Sequence, residues 1–125
     1  MKCSIDQLAD VIAQELADYS QEITDGIKQE VREVAKECRD EIKQNSPVLT
    51  GSYKKGWRTK VNYEGREDIR VTVHNKTDYQ LTHLLEDGHT KQGGVGRVEG
   101  KPHIAPAEQN AARKLENRVK VLIRK

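Results

Sequence analysis

Trp57-Arg58-Thr59-Lys60-Val61-Asn62-Tyr63-Glu64-Gly65-Arg66-Glu67-Asp68-Ile69-Arg70-Val71-Thr72-Val73-His74 holds two runs of alternating residues about a polar centre. Trp57, Thr59, Val61 and Tyr63 alternate with Arg58, Lys60 and Asn62, and Ile69, Val71 and Val73 alternate with Arg70, Thr72 and His74. Successive side chains of a strand point to opposite faces, so each run has one apolar and one wet face. Glu64-Gly65-Arg66-Glu67 reads as a turn, which makes the stretch an antiparallel β-hairpin.

Upstream the period changes. Ile5, Leu8, Ile12, Leu16, Tyr19, Ile23, Ile27, Val31, Val34, Cys38 and Ile42 follow one another at steps of three or four, the spacing of one helix face. Ser4 with Gln7 three residues on has the pattern of a capping box, and Asn45-Ser46-Pro47 is a stop. A helix over residues 4–44 would be about 60 Å long at its normal rise, longer than a domain of this size is wide. It therefore breaks near Tyr19–Gly26, with Thr24-Asp25-Gly26 the expected bend, or part of it projects to dock on another subunit.

Downstream, Asn75-Lys76-Thr77-Asp78 is a polar connection. Tyr79, Leu81, Leu84 and Leu85 predict a short helix ended by Gly88. Residues 88–101 hold five of the nine glycines and read as a long mobile loop. His103-Ile104 is a candidate short strand, and Pro106 suits the first turn of a last helix. Ala111, Leu115, Val119 and Ile123 would line its buried face, with Arg113, Lys114, Arg118, Lys120 and Arg124 around the rest.

The 125 residues suggest one domain, 1–125, comprising a helical arm over 1–45 and a sheet plus C-terminal helix over 46–125. One Trp, four Tyr and no Phe leave an aliphatic core, lean enough to complete its burial against neighbours. Residues 1–46 carry 11 acids against 6 bases, whereas residues 47–125 carry 16 bases against 9 acids. Such polarity allows head-to-tail attraction between copies, or reflects only helix-end and solubility bias. No apolar run nears the roughly 20 residues that span a bilayer, and the N-terminus lacks the apolar stretch of a signal peptide. Cytosolic folding with free Cys3 and Cys38 is the expectation, since on one straight helix the two would lie about 50 Å apart.

Residue patterns that carry chemistry mostly fail their spacing tests. His83, His89 and His103 with Glu86 and Asp87 supply metal-ligand types, but Leu84 stands where HExxH needs its Glu. Gly96-Arg97-Val98-Glu99-Gly100-Lys101-Pro102 lacks both the length and the hydroxyl residue of a P-loop. Ser46, Ser52 and Cys38 sit in no nucleophile context. Lys54, Lys55, Arg58 and Lys60 beside Tyr53 and Trp57 form a basic run, so a nucleic-acid-binding accessory protein is the rival reading, with a metal-dependent hydrolase second.

The order of signals is more specific than any one of them. A long helix precedes Ser46-Pro47-Val48-Leu49-Thr50-Gly51-Ser52-Tyr53-Lys54-Lys55-Gly56-Trp57. Val73-His74-Asn75, Tyr79, His83-Leu84-Leu85-Glu86-Asp87-Gly88-His89, a glycine loop and Pro102-His103-Ile104-Ala105-Pro106-Ala107 follow. From about residue 30 to 120 the chain resembles the siphophage tail-component family named after gene product ten of phage HK97. Pro47, Thr50, Gly51, Trp57, Asn75, Tyr79, Leu85, Glu86, Gly88, Pro102 and Pro106 match its motif positions as turn and packing residues.

The resemblance implies a structural head–tail joining or tail-completion protein of a phage or prophage, with no cofactor and no catalytic residue, and the failed ligand spacings argue against a metal. Its partners would be further copies in a ring and neighbouring virion proteins, with DNA passing through the lumen unread and no membrane. Lys91, Arg97 and Lys101 would charge an assembly loop. The expected localisation is the host cytoplasm during assembly and then the virion. The expected fold is α+β: a small antiparallel sheet with the N- and C-terminal helices packed on its apolar face.

Overall fold

A computed structural model of the chain describes residues 9–47, 51–78, 81–90 and 96–124, without the side chains of His83, His89, Thr90, Arg97 and Val98. The elements are β1 (Ala9–Ala13), a 3-10 turn (Leu16–Asp18), α1 (Gln21–Asn45), α2 (Ser52–Lys55), β2 (Trp57–Glu64) and β3 (Ile69–Asn75). They continue with α3 (Thr82–Asp87), β4 (Gly88–Thr90), β5 (Arg97–Glu99) and α4 (Ala105–Arg124). The architecture is α+β, with a long helix, a small antiparallel sheet and a C-terminal helix.

β3 is the centre of the sheet, paired antiparallel with β1 on one side and β2 on the other. The β2–β3 hairpin follows the alternation of its residues, with Trp57 opposite Asn75 and Val61 opposite Val71. A register shift lies between Val61 and Tyr63, so Tyr63 comes to stand opposite Arg70. Ile69, Val71 and Val73 are buried, and Ala9 and Val11 of β1 pair with Val73 and Val71 on the same apolar face.

The N-terminal stretch departs from the helical reading. Residues 9–13 are an edge strand, not the start of a long helix. Ala9, Val11 and Ala13 also alternate with Asp10 and Ile12, so the segment carries both periods, and pairing with β3 selects the extended one. The helix begins only at Gln21, where the Ser20 hydroxyl accepts from Ile23 N at 3.2 Å. That start falls within the Tyr19–Gly26 window, but Thr24-Asp25-Gly26 is itself helical. Glu15, at φ 60, turns the chain from strand to helix. The separation inferred for the two cysteines therefore does not apply; Cys38 is free and buried, while Cys3, Ser4 and Gln7 lie outside the described residues.

α1 lays Val31, Val34, Ala35, Cys38 and Ile42 on the apolar face of the sheet. α4 packs along α1 and reaches the sheet at β1. Ala107 and Ala111 are buried where α4 joins the core, Leu115 packs beside them, and Ile123 ends 40% exposed. Much of the opposite charge of the two chain halves meets here. Arg118 donates to Glu37 at 2.8 Å and lies 3.6 Å from Glu30, Lys114 lies 3.4 Å from Glu37, and Asn110 donates to Glu41 at 2.8 Å.

Gly88 closes α3 at φ 86, as its position predicts. The glycine-rich stretch is partly structured: β4 pairs with β5, Gly88 opposite Glu99 and Thr90 opposite Arg97. His103-Ile104 is not a strand but leads directly into α4.

Candidate functional site

Of the motif positions, Trp57, Asn75 and Glu86 converge with Tyr53 and His103 on one buried cluster. Glu86, at the end of α3, is 5% exposed and faces the start of α4. Its Oε1 accepts from His103 N at 2.7 Å and Ile104 N at 2.9 Å, and its Oε2 from Ala105 N at 3.0 Å. A carboxylate thus supplies the acceptors that a helix N-terminus lacks, across 19 residues of sequence. Burial on its own would raise the Glu86 carboxyl. The His103 ring and the three backbone N–H groups outweigh it and hold the group down at about 2.

His103 is 1% exposed. Its Nδ1 lies 2.7 Å from the Lys101 carbonyl and 3.0 Å from Glu86 Oε1, both acceptors, so Nδ1 carries the proton. Nε2 then accepts from the Tyr53 hydroxyl at 2.6 Å. Burial, then the nearby Glu86 and Asp78 charges, push the Tyr53 phenol upward, so it remains a donor. The rings of Tyr53, Trp57 and His103 meet edge to face at centroid distances of 5.5, 5.6 and 6.2 Å. Asn75, 2% exposed, donates to the Tyr53 carbonyl at 2.8 Å and accepts from Thr77 N and Asp78 N, fixing the turn after β3.

This geometry has the pieces of a relay, but every polar atom in it faces another part of the same fold. Glu86 is saturated by N–H donors, and Tyr53 and His103 are sealed from solvent. What the cluster does chemically is join α3, the α2 turn and the entry to α4.

The remaining motif positions are backbone devices. Gly51, at φ 90, opens α2, which stands between Thr50-Gly51 and the hairpin. Leu85 packs on the core, Pro47 is half-buried, Pro102 is exposed, and Pro106 sits in the first turn of α4. Thr50, Tyr79 and Lys91 lie outside the described residues, as does the Arg97 side chain, and Lys101 is exposed.

The basic hairpin is changed by burial. Tyr53 and Trp57, beside Lys54, Lys55, Arg58 and Lys60, are 1% and 2% exposed and present no stacking surface. Of the three histidines, only the His103 side chain is described, and it is occupied by Tyr53, Lys101 and Glu86. Among the described residues no group of three or more His, Cys, Asp or Glu could hold a metal ion, and no helix is long and apolar enough to cross a membrane.

Sequence reading missed Ser46, Tyr53 and His103 as members of the cluster. Their partners are 11 to 50 residues away, and no short spacing announces them. It also missed two surfaces. An apolar groove of about 620 Å³ runs between β1 and α4, lined by Val11, Ile12, Leu16, Tyr19, Leu115 and Val119. The sheet face opposite the helices carries Arg58, Lys60, Tyr63, Arg70 and Ile12.

Residues 10–88 match the family described as "Bacteriophage HK97-gp10, putative tail-component". The match begins at β1, well before the motifs that carried the resemblance, and stops at Gly88, short of Pro102 and Pro106. No curated protein and no solved structure matches the chain. More than half of the residues fall within the family match, and the chain therefore belongs to this family of phage tail components.

Proposed function

We propose that this chain is a non-enzymatic head–tail joining or tail-completion subunit that works by binding copies of itself and neighbouring virion proteins. The family match over residues 10–88 carries the reading. The internal use of Glu86, His103, Tyr53 and Asn75 supports it, because these polar residues hold the fold and leave no reacting group turned to solvent. The open apolar groove and the exposed Val121 and Ile123 at the end of α4 support a protein that buries further surface on assembly.

On this reading the subunit is made in the host cytoplasm and ends in the virion, in a ring around the particle axis with DNA passing through unread. Contacts that close such a ring are heterologous. The stretch 88–101, with Lys91, Arg97 and Lys101, contacts a neighbour in the particle; hydrogen exchange equally fast in free subunit and particle would refute that part.

Disruption of the gene in its phage or prophage tests the whole. Heads and tails that no longer join, or tails left incomplete, with the protein detected in wild-type virions by mass spectrometry, is the expected result. Normal infectious particles without the protein would overturn it. The nucleic-acid reading requires tight duplex binding with a steep salt dependence, and the hydrolase reading requires stoichiometric zinc after purification.

A further inference from the structure

We propose that the open face of the three-stranded sheet receives the acidic segment 15–25 of the next copy of this chain, an inference that rests on the self-assembly reading above. The face is laid out by register. Arg58 stands opposite His74; Lys60, Thr72 and Asp10 form the next row; Tyr63, Arg70 and Ile12 form the third. α1 and α4 pack on the other side. On this side Thr72 is buried and donates to Asp10, so the middle row is exposed chiefly at Lys60. Arg58 and Lys60 are exposed, Tyr63 is 56% exposed and Ile12 44%.

Part of the other charge is matched within the chain. Arg32 and Lys28 hold Glu64, Arg118 and Lys114 hold Glu37, and Arg70 holds Asp10 at 2.6 Å. Two groups of the unpaired charge bear on the face and the segment. One is Arg58 and Lys60 with Lys76, which together with burial lower the His74 imidazole; among the described residues no carboxylate pairs with these three bases. The other is Glu15, Asp18, Glu22 and Asp25, all exposed and in no ion pair among the described residues. Lys36, Lys43, Lys55, Arg66, Lys101, Arg113 and Arg124 are exposed and in no ion pair among the described residues too, but none of them lies on the three strands.

Within one copy Arg58 is held away from residues 15–25. Residues 15–25 leave from Ala13, which pairs with Ile69 at one end of β3, while Arg58 pairs with His74 near the other end. Five strand steps separate those ends by about 17 Å, well beyond the screening length of about 10 Å at 0.1 M salt. Opposite charges at opposite ends of one subunit are met by translation to the next, which is a head-to-tail contact. The apolar parts agree: Tyr19, 38% exposed among the acids, has Ile12 and Tyr63 as counterparts on the face. A nucleic acid would gain nothing from Ile12.

A charge-exchange experiment on the full chain tests the pairing. Arg58→Glu with Lys60→Glu makes the face acidic, and Asp18→Lys with Glu22→Lys makes the segment basic. These side chains are exposed, so thermal melts verify that both variants fold. Sedimentation equilibrium at low salt should show self-association of the wild type weakened at least about tenfold in each variant. An equimolar mixture should regain it, because the acidic face of one variant meets the basic segment of the other. Wild-type strength in either variant alone, no recovery on mixing, or a wild type monomeric at low salt would each overturn the contact. Binding of a fluorescein-labelled DNA duplex that is lost only in the face variant would assign the face to nucleic acid and overturn it equally. Incorporation into particles, measured separately, distinguishes the failures: incorporation without charge complementation refutes this contact alone, and absence from particles refutes the assembly reading.

Discussion

The Trp57 indole Nε1 donates to the Ser46 hydroxyl at 2.9 Å, and that hydroxyl donates onward to the Ile42 carbonyl at 2.6 Å. The first residue of β2 is thereby tied to the last turn of α1. Trp57→Ala is expected to cost about 3–5 kcal/mol, the range for a buried Trp. Ser46→Ala should cost about 1–3 kcal/mol by orphaning the buried indole N–H. Chemical denaturation of the two variants measures both, and an unchanged melt for Trp57→Ala would place the side chain on a partner surface.

Glu86 links stability to acid. Its folded carboxyl is held at about 2 against an ordinary value of 4.5. The carboxylate's contribution is therefore complete above pH 4.5 and is lost as pH falls toward 2. Its size is on the order of 3 kcal/mol. Glu86→Gln should lower stability at neutral pH and flatten the acid limb, with the difference from wild type vanishing near pH 2. Urea titrations across that window decide the point; parallel acid limbs would count against it.

Gly100 sits where no side chain fits. A Cβ there would lie 2.5 Å from the Glu86 carbonyl oxygen, the Asp87 carbonyl carbon and Gly88 N, all backbone atoms. Gly100→Ala must push the stretch after β5 off α3, at a cost of about 1–3 kcal/mol. The melting temperature should fall, while Gly51→Ala, which meets no atom within 4 Å, should carry only the strain of its φ of 90.

Cys38 should be chemically silent in the native protein. Burial, then the charges of Glu108 and Glu41, push its thiol up to about 12. With 1% of its surface exposed, it should react with iodoacetamide only at the rate of unfolding. Mass spectrometry of the Cys38 peptide over time gives that rate, and labelling within the mixing time of the native protein would contradict the packing.

The β2–β3 hairpin, the helix ended by Gly88 and the last helix were legible in the residues, because each shows one period over enough positions, although Val61 and Tyr63 of β2 stay exposed. Ile27 to Ile42 announced α1 for the same reason. Residues 9–13 were not legible: Ala9, Val11 and Ala13 fit a strand, while Ile12 and Leu16 fit a helix face. The choice was made by Val71 and Val73, about 60 residues away, which offer β1 both a ladder and an apolar face. The buried cluster was likewise decided in three dimensions. Glu86, His103 and Tyr53 look like ordinary polar residues until the fold removes water, after which each must find a partner. Charge was legible as a difference between the two halves of the chain, but only packing determined which of it remains. Where α4 lies along α1, Glu37 and Arg118 neutralise each other, whereas Asp18 and Lys60 are in no ion pair among the described residues.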